Sequence, residues 1–364
     1  MAPKRVVDDS EKDEKSSGTK EEQKKDKTGR VVAVVSAESY TGSSVLELLY
    51  SDGTYASKFD KLVGITFGAP VSPDVKAIHD EYRVETLAAD ELDEGRIKDL
   101  GVDTMLVIPP ARKDKLDQVK RLLQLAKQAQ SVQNLVLLSS AGADYAERDE
   151  QPRLREFIDL EVLAMQPKSD PETGDTGHSP CVVRAGFYLE NLLLYSKQAQ
   201  GEGKLPIPID SDHKFAPVAL GDVAQLLAYI VTSKGEHGLG DDVRGQMIVL
   251  TGPQMTAGPE LAEAASQALS TKLEFESIKE SEAKKVLQRE HGDELNAAEV
   301  EYLLEYFSLV RAGKTAYCAG RPTFQKLLGT DLEEPTSFFK AYEGNFARKR
   351  RRVAKKEDEG EKEK

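Results

Sequence analysis

The sequence predicts an α/β protein: a Rossmann-type doubly wound parallel sheet with helices on both faces and a smaller, mainly helical C-terminal subdomain. Three observations lead there. Short, unbroken apolar runs recur through the N-terminal half, stretches with one apolar helical face separate them, and the first run passes directly into a loop of small residues that opens a helix. A strand buried on both faces reads as a continuous apolar run. Strands alternating with helices at short spacing make right-handed βαβ units, and so a parallel sheet.

The first strand is Val31–Ala37, followed at once by a helix whose apolar face carries Val45, Leu46, Leu48 and Leu49. Lys61–Phe67 is the second strand; a short helix over Asp74–Tyr82 leads to a third, Arg83–Ala89. Asp90–Leu100 has the acidic start of a capped helix, and Val102–Pro110 is a strand stopped by two prolines. From Lys113 to Gln130, Leu116, Val119, Leu122, Leu123 and Ala126 fall on one helical face. Asn134–Ser140 is the fifth strand, with a helix near Leu154–Met165. Cys181–Gly186, beyond the loop Gln166–Pro180, is the sixth strand, and a helix opens at Phe187. Past Leu205 the rhythm shortens. Strands at Phe215–Leu220, Met247–Gly252 and Lys272–Ile278 alternate with helices at Asp222–Ser233, Pro259–Ser270 and one long stretch from Glu282 to Val310.

The chain has 364 residues and a formal net charge of −13. Residues 1–29 and 347–364 are dominated by Lys, Glu, Asp and Ser. Such segments bury too little apolar surface to offset their ordering entropy and are expected to be disordered tails. Roughly 315 residues remain for a globular body, enough for one large domain with an appendage. An acidic body repels phosphate backbones, so direct nucleic-acid binding is expected only through the basic C-terminal run. No apolar run reaches the ~18 residues of a membrane span, and no secretory h-region is present. Cys181 and Cys318 sit in apolar stretches without CxxC spacing and are read as buried, reduced thiols of a soluble intracellular chain. His79, His178, His213, His237 and His291 lack metal-ligand spacing; they are read as solvated, and no metal is predicted.

The chemistry of such a fold resides in its first strand–helix turn. Glycines there make the tight turn, let the backbone approach a pyrophosphate, and pack helix against strand. At G-x-x-G-x-x-G spacing this sequence has Ser36, Ser39 and Gly42, so only the third glycine is kept. Ser36 puts a Cβ where positive φ is wanted, Ser39 puts one where phosphate would lie, and Glu38 adds a carboxylate beside the expected dianion. Tyr40, Thr41 and the helix N-terminus complete this candidate loop. The second strand ends at Phe67, with neither the acid that reads the NAD ribose nor the arginine that accepts the NADP phosphate. NADP or NAD is therefore expected to bind weakly or not at all. Pro109, Ser139, Gly186 and Phe187, at the ends of later strands, complete the candidate cofactor-binding set. No Tyr is followed by Lys four residues on, and the helix after the fifth strand has no lysine. Hydride-transfer relatives use that lysine to lower the tyrosine's pKa. No catalytic residue is therefore assigned.

Arg184-Ala185-Gly186-Phe187-Tyr188-Leu189-Glu190-Asn191-Leu192 resembles the R-P-G-F-F-x-E-N-L stretch of the NmrA-like family, a branch of the atypical short-chain dehydrogenase/reductases. Gly221-Asp222-Val223-Ala224, Leu250-Thr251-Gly252-Pro253, and Phe324–Gly329 leading to Pro335–Phe339 are similar to later family segments, in the same order. The resemblance spans Val31 to Phe346 and implies one NmrA-like domain over 30–346, with a Rossmann part to about residue 200 and a subdomain beyond. It implies either an NADP-dependent reductase with a rearranged site or a non-catalytic regulator acting on a protein partner such as a transcription factor. Ser36, Ser39, Phe67 and Asp159 depart from the family pattern, Asp159 standing where reductase-like members keep a lysine. The run Ala347–Lys356, with Arg348, Lys349, Arg350, Arg351, Arg352, Lys355 and Lys356, has the composition of a nuclear localisation signal. A regulator shared between nucleus and cytoplasm is the expected reading.

Overall fold

The computed structural model describes residues 28–68, 73–82, 84–166, 179–291 and 297–347. The chain opens with β1 (Val31–Val35), α1 (Tyr40–Ser51), α2 (Gly53–Ala56), β2 (Lys61–Thr66), α3 (Pro73–Tyr82) and β3 (Glu85–Ala88). It continues through α4 (Glu94–Leu100), β4 (Thr104–Val107), α5 (Lys115–Gln128), β5 (Asn134–Ser140), α6 (Pro152–Met165) and β6 (Ser179–Ala185). After a 3₁₀ run at Leu189–Tyr195 come α7 (Ser196–Glu202), β7 (Lys204–Ile207), β8 (Lys214–Phe215), α8 (Leu220–Thr232) and β9 (Met247–Leu250). The last elements are β10 (Thr256–Ala257), α9 (Gly258–Leu269), β11 (Glu274–Ser277), α10 (Glu280–His291), α11 (Ala297–Arg311), α12 (Arg321–Leu328), α13 (Pro335–Ala341) and α14 (Glu343–Phe346).

Seven strands form one parallel sheet in the order β3-β2-β1-β4-β5-β6-β9. The chain moves outward from β1 to β3, then restarts on the other side at β4. That reversal makes the crevice between β1 and β4 the switch point where nucleotides lie in this topology. Because side chains alternate along a strand, each buried run feeds two cores. Val32, Val34, Leu106, Val136 and Val183 meet α1 and α8 on one face. Ala33, Val35, Met105, Leu135 and Leu137 meet α5 and α6 on the other. A third core joins Phe187 and Phe215 to Leu261 of α9, Phe307 of α11, and Phe338, Phe339 and Phe346 of the last helices. Each fully buried Leu or Phe contributes about 1.5–3 kcal/mol of transfer free energy.

Several local readings need correction. The stretch read as one long helix over Glu282–Val310 carries two described helices, α10 and α11. The strand predicted at Phe215–Leu220 is reduced to Lys214–Phe215, paired with β10, and an isolated parallel bridge from Val218 to Tyr188. β7 is hidden in the sequence because Pro206 interrupts its pattern; it forms in a two-stranded ribbon with β11, where a missing donor can be tolerated. His79 is buried, its Nε2 3.0 Å from the Ala37 carbonyl, rather than solvated. That carbonyl lies in the turn after β1, and the imidazole at the end of α3 fits over it. Cys318 is exposed. Cys181 is buried as predicted, and burial pushes its thiol up to about 12. His178, the loop at 167–178 and the basic run from Arg348 lie outside the described residues. Among the described residues, no helix is long and apolar enough to cross a membrane, and no group of three or more His, Cys, Asp or Glu side chains could hold a metal ion.

Candidate functional site

The predicted residues fall into two groups at the C-terminal edge of the sheet. The first surrounds the turn from β1 into α1. Ser36 takes φ 56°, the left-handed conformation that a glycine would adopt freely. Its hydroxyl donates to the Ile108 carbonyl at 2.6 Å, bridging the crevice between β1 and β4 just before Pro109. Ser39 is the N-cap of α1: its Oγ accepts from the Gly42 amide at 3.0 Å and donates to the Ser36 carbonyl at 2.7 Å. Ser39 thus occupies the Gly42 amide, a donor that a pyrophosphate oxygen would otherwise engage. Gly42 cannot change, since a Cβ there would stand 2.2 Å from the Ser36 carbonyl oxygen. Tyr40 is 57 % exposed at the helix start, while Thr41 is buried against the hydroxyl of Tyr188.

Glu38 reaches from this turn to the tip of β2. Its Oε1 accepts from the Phe67 amide at 2.9 Å, and its Oε2 is buried with no hydrogen-bond partner. The Phe67 carbonyl accepts from Arg112 Nη1 at 2.9 Å, and Arg112 Nε donates to Asp114 at 2.9 Å. Hydrogen bonding to Asp114, with lesser contributions from the charges of Asp114 and Glu38, holds the Arg112 pKa above its usual value. A carboxylate therefore stands at the end of β2 after all, supplied by the loop instead of the strand. The sequence shows the charge of Glu38 but not its reach.

The second group lies at the ends of β5 and β6. Strand alternation points Ser139 and Ser140 to opposite sides. Ser139 donates to Glu161 of α6 at 2.5 Å, beneath the sheet edge. Glu161, 4 % exposed, also holds Arg184 of β6 in a two-pronged pair at 2.8 and 2.7 Å. The most family-like stretch thus begins with a structural ion pair. Ser140 meets a residue the sequence did not single out, Tyr302 of α11, at 3.0 Å between hydroxyls. Four turns of sequence pattern could not place it there, because the contact spans 162 positions. Burial raises the Tyr302 pKa, and the charges of Glu305 and Glu299 raise it further. Beside it, the Phe187 amide donates to Tyr306 at 3.2 Å, and Phe187 packs on Tyr306 and Phe307. Gly186 lets this backbone pass close to Thr251, whose Cα would be 3.3 Å from an added Cβ.

Asp159 of α6 pairs with Arg148 at 2.7 Å. Lys115, the buried lysine among the described residues, is committed elsewhere. It donates to the Arg153 carbonyl at 2.6 Å, pairs with Glu156 at 3.2 Å and sits 4.0 Å over the Phe157 ring. Below this edge, Glu190 accepts from the Leu220 amide at 2.9 Å and Asp222 from the Glu333 amide at 2.8 Å. Burial raises each of these two acids to about 7.

A seven-stranded parallel sheet with this switch point is a Rossmann-type, doubly wound α/β fold. Solved structures of nicotinamide-cofactor-binding proteins share this fold. NmrA, a negative transcriptional regulator solved in complex with NAD, superposes with a TM-score of 0.60 at 14% identity, over 85% of this chain and 94% of that one. The NADPH-dependent quinone oxidoreductase of Escherichia coli, solved with NADPH, gives a TM-score of 0.63 at 20% identity over 85% and 98%. In sequence, the chain is 24% identical over 260 residues to the NAD(P)H azoreductase of Xenophilus azovorans, covering 71% of this chain and 80% of that protein. No family profile matches.

Proposed function

We propose that this chain is a non-catalytic NmrA-like regulator, acting on a protein partner, in which the nicotinamide end of the ancestral cleft has become structural. The pairing of Ser140 with Tyr302 carries this reading. A tyrosine that shuttles protons in hydride transfer needs a neighbouring cation to lower its pKa. Tyr302 has carboxylates near it and a raised pKa, so its hydroxyl stays protonated and serves as a hydrogen-bonding strut. Tyr306, on the Phe187 amide, is pushed up in the same way by burial. Ser36 and Ser39 weaken the pyrophosphate turn without removing it. Residues 347–356 then act as a nuclear import signal, giving the regulator access to a transcription factor in the nucleus while it is made in the cytoplasm.

The test is turnover. The full chain is mixed with NADH or NADPH and a panel of quinones and azo dyes, and nicotinamide absorbance is followed. No oxidation above the protein-free rate is expected. Turnover near 1 s⁻¹, the low end of ordinary enzymes, would overturn the proposal. It would favour the second reading, a reductase with a rearranged site. The likeness to the azoreductase supports that alternative.

A further inference from the structure

The adenosine end of the cleft differs from the nicotinamide end. At the nicotinamide end the polar groups satisfy one another, Ser140 with Tyr302 and the Phe187 amide with Tyr306. At the adenosine end one strong acceptor remains unused: Glu38 Oε2, buried and without a hydrogen-bond partner. An unsatisfied buried carboxylate oxygen is costly and calls for an explanation, and a donor brought by a ligand is one. Its other oxygen is fixed on the Phe67 amide, so the carboxylate is held at the tip of β2, beside the crevice that the Ser36 turn and Gly42 open.

The geometry points to Glu38 as the residue that reads the ribose of an adenine nucleotide, accepting from a free 2′-hydroxyl and rejecting a 2′-phosphate. In Rossmann proteins this task falls to an acid near the end of the second strand. Here Phe67 vacates that position and Glu38 enters it from the preceding turn. The surrounding charge points the same way. Arg112, which could greet a 2′-phosphate, already donates to Asp114 and to the Phe67 carbonyl. The two carboxylates outnumber that guanidinium, so the local balance is one net negative charge before any ligand arrives. A phosphate dianion would be repelled, whereas a ribose diol would supply the missing donor. The ligand class is therefore NAD(H), ADP or ADP-ribose, and not NADP(H). This inference rests on the reading above, in which the pyrophosphate turn is weakened but kept.

Isothermal titration of the full chain with NAD⁺, NADP⁺, 5′-ADP and 2′,5′-ADP tests it. NAD⁺ and 5′-ADP should each bind at least tenfold more tightly than their 2′-phosphorylated counterparts. In Glu38→Gln, which keeps an oxygen for the Phe67 amide, that ratio should fall to about threefold or less while the melting temperature stays near that of the parent. Equal or tighter binding of the 2′-phosphorylated ligands by the parent would overturn the role of Glu38 and leave the nucleotide site standing. A Glu38→Gln ratio unchanged from the parent would do the same. If none of the four ligands binds at millimolar concentration, the adenosine site itself falls, and this inference with it.

Discussion

Replacing Arg184 by Met tests whether the family-like stretch at β6 is structural. Arg184 and Glu161 are 12 % and 4 % exposed at the side chain, joined by two hydrogen bonds, with Asp144 3.2 Å from the guanidinium and Ser139 on the carboxylate. Met fills much of the same volume, so little packing is lost. What changes is that the Glu161 carboxylate remains buried with only the Ser139 hydroxyl to satisfy it. Stranding one partner of a buried pair costs about 3–5 kcal/mol. Asp144 is partly solvated, so losing its contact adds about 0–1 kcal/mol. Replacing both partners, Arg184→Met with Glu161→Met, removes the stranded charge and should recover most of the loss. Only about 1 kcal/mol should remain, for the Ser139 hydroxyl left without its acceptor. The chain has no Trp, so urea unfolding is best followed by far-UV circular dichroism, with the slope of the transition checked for constancy. A single-variant loss under about 1 kcal/mol, or a double variant whose loss is the sum of the two singles, would refute the reasoning.

Three further expectations follow from the same structure. The Asp222 carboxyl, 5 % exposed, is raised to about 7 first by burial and then by Glu333 and Asp331. A carboxyl raised on folding stabilises below its unfolded pKa of about 3.9, and that stability is lost as pH rises through 7. Asp222→Asn should thus remove roughly 2–3 kcal/mol of the stability lost by the parent between pH 5 and 8, read from urea midpoints across that range; parallel profiles would sink the idea. Gly42→Ala should destabilise by at least about 2 kcal/mol, because its Cβ would lie 2.2 Å from a backbone oxygen; a melting temperature within 2 °C of the parent would contradict this. Tyr302→Phe removes the partner of Ser140 and should cost about 1 kcal/mol while leaving nicotinamide oxidation at the background rate. A fall in measurable turnover in that variant would instead mark Tyr302 as a catalytic residue.

The sheet was legible because its strands are buried on both faces and are therefore apolar along their middles: Val31–Val35 and the Leu135–Leu138 run of β5 could hardly be anything else. Strand–helix alternation then left right-handed crossovers as the way to connect them. The weak turn was equally legible, since positive φ at Ser36 follows from where the turn stands after β1, whatever residue occupies it. Readings failed where local pattern is short or interrupted. β7 carries Pro206, and β8 is two residues long, so both depend on partners distant in the chain. His79 looked like a surface residue because no local rule reveals that a carbonyl from the turn after β1 lies over it.

The sequence by itself determined the doubly wound sheet, the serine-bearing turn after the first strand and the lack of a Tyr–Lys dyad, because each depends on residue type at fixed local spacing. Only the tertiary structure decided what those residues touch. It set Glu38 against Phe67, 29 positions away, and Tyr302 against Ser140, 162 positions away. A hydrogen bond is blind to separation along the chain, whereas a sequence pattern fades within a few turns. The fold could therefore be read from the chain, and the state of its cleft could not.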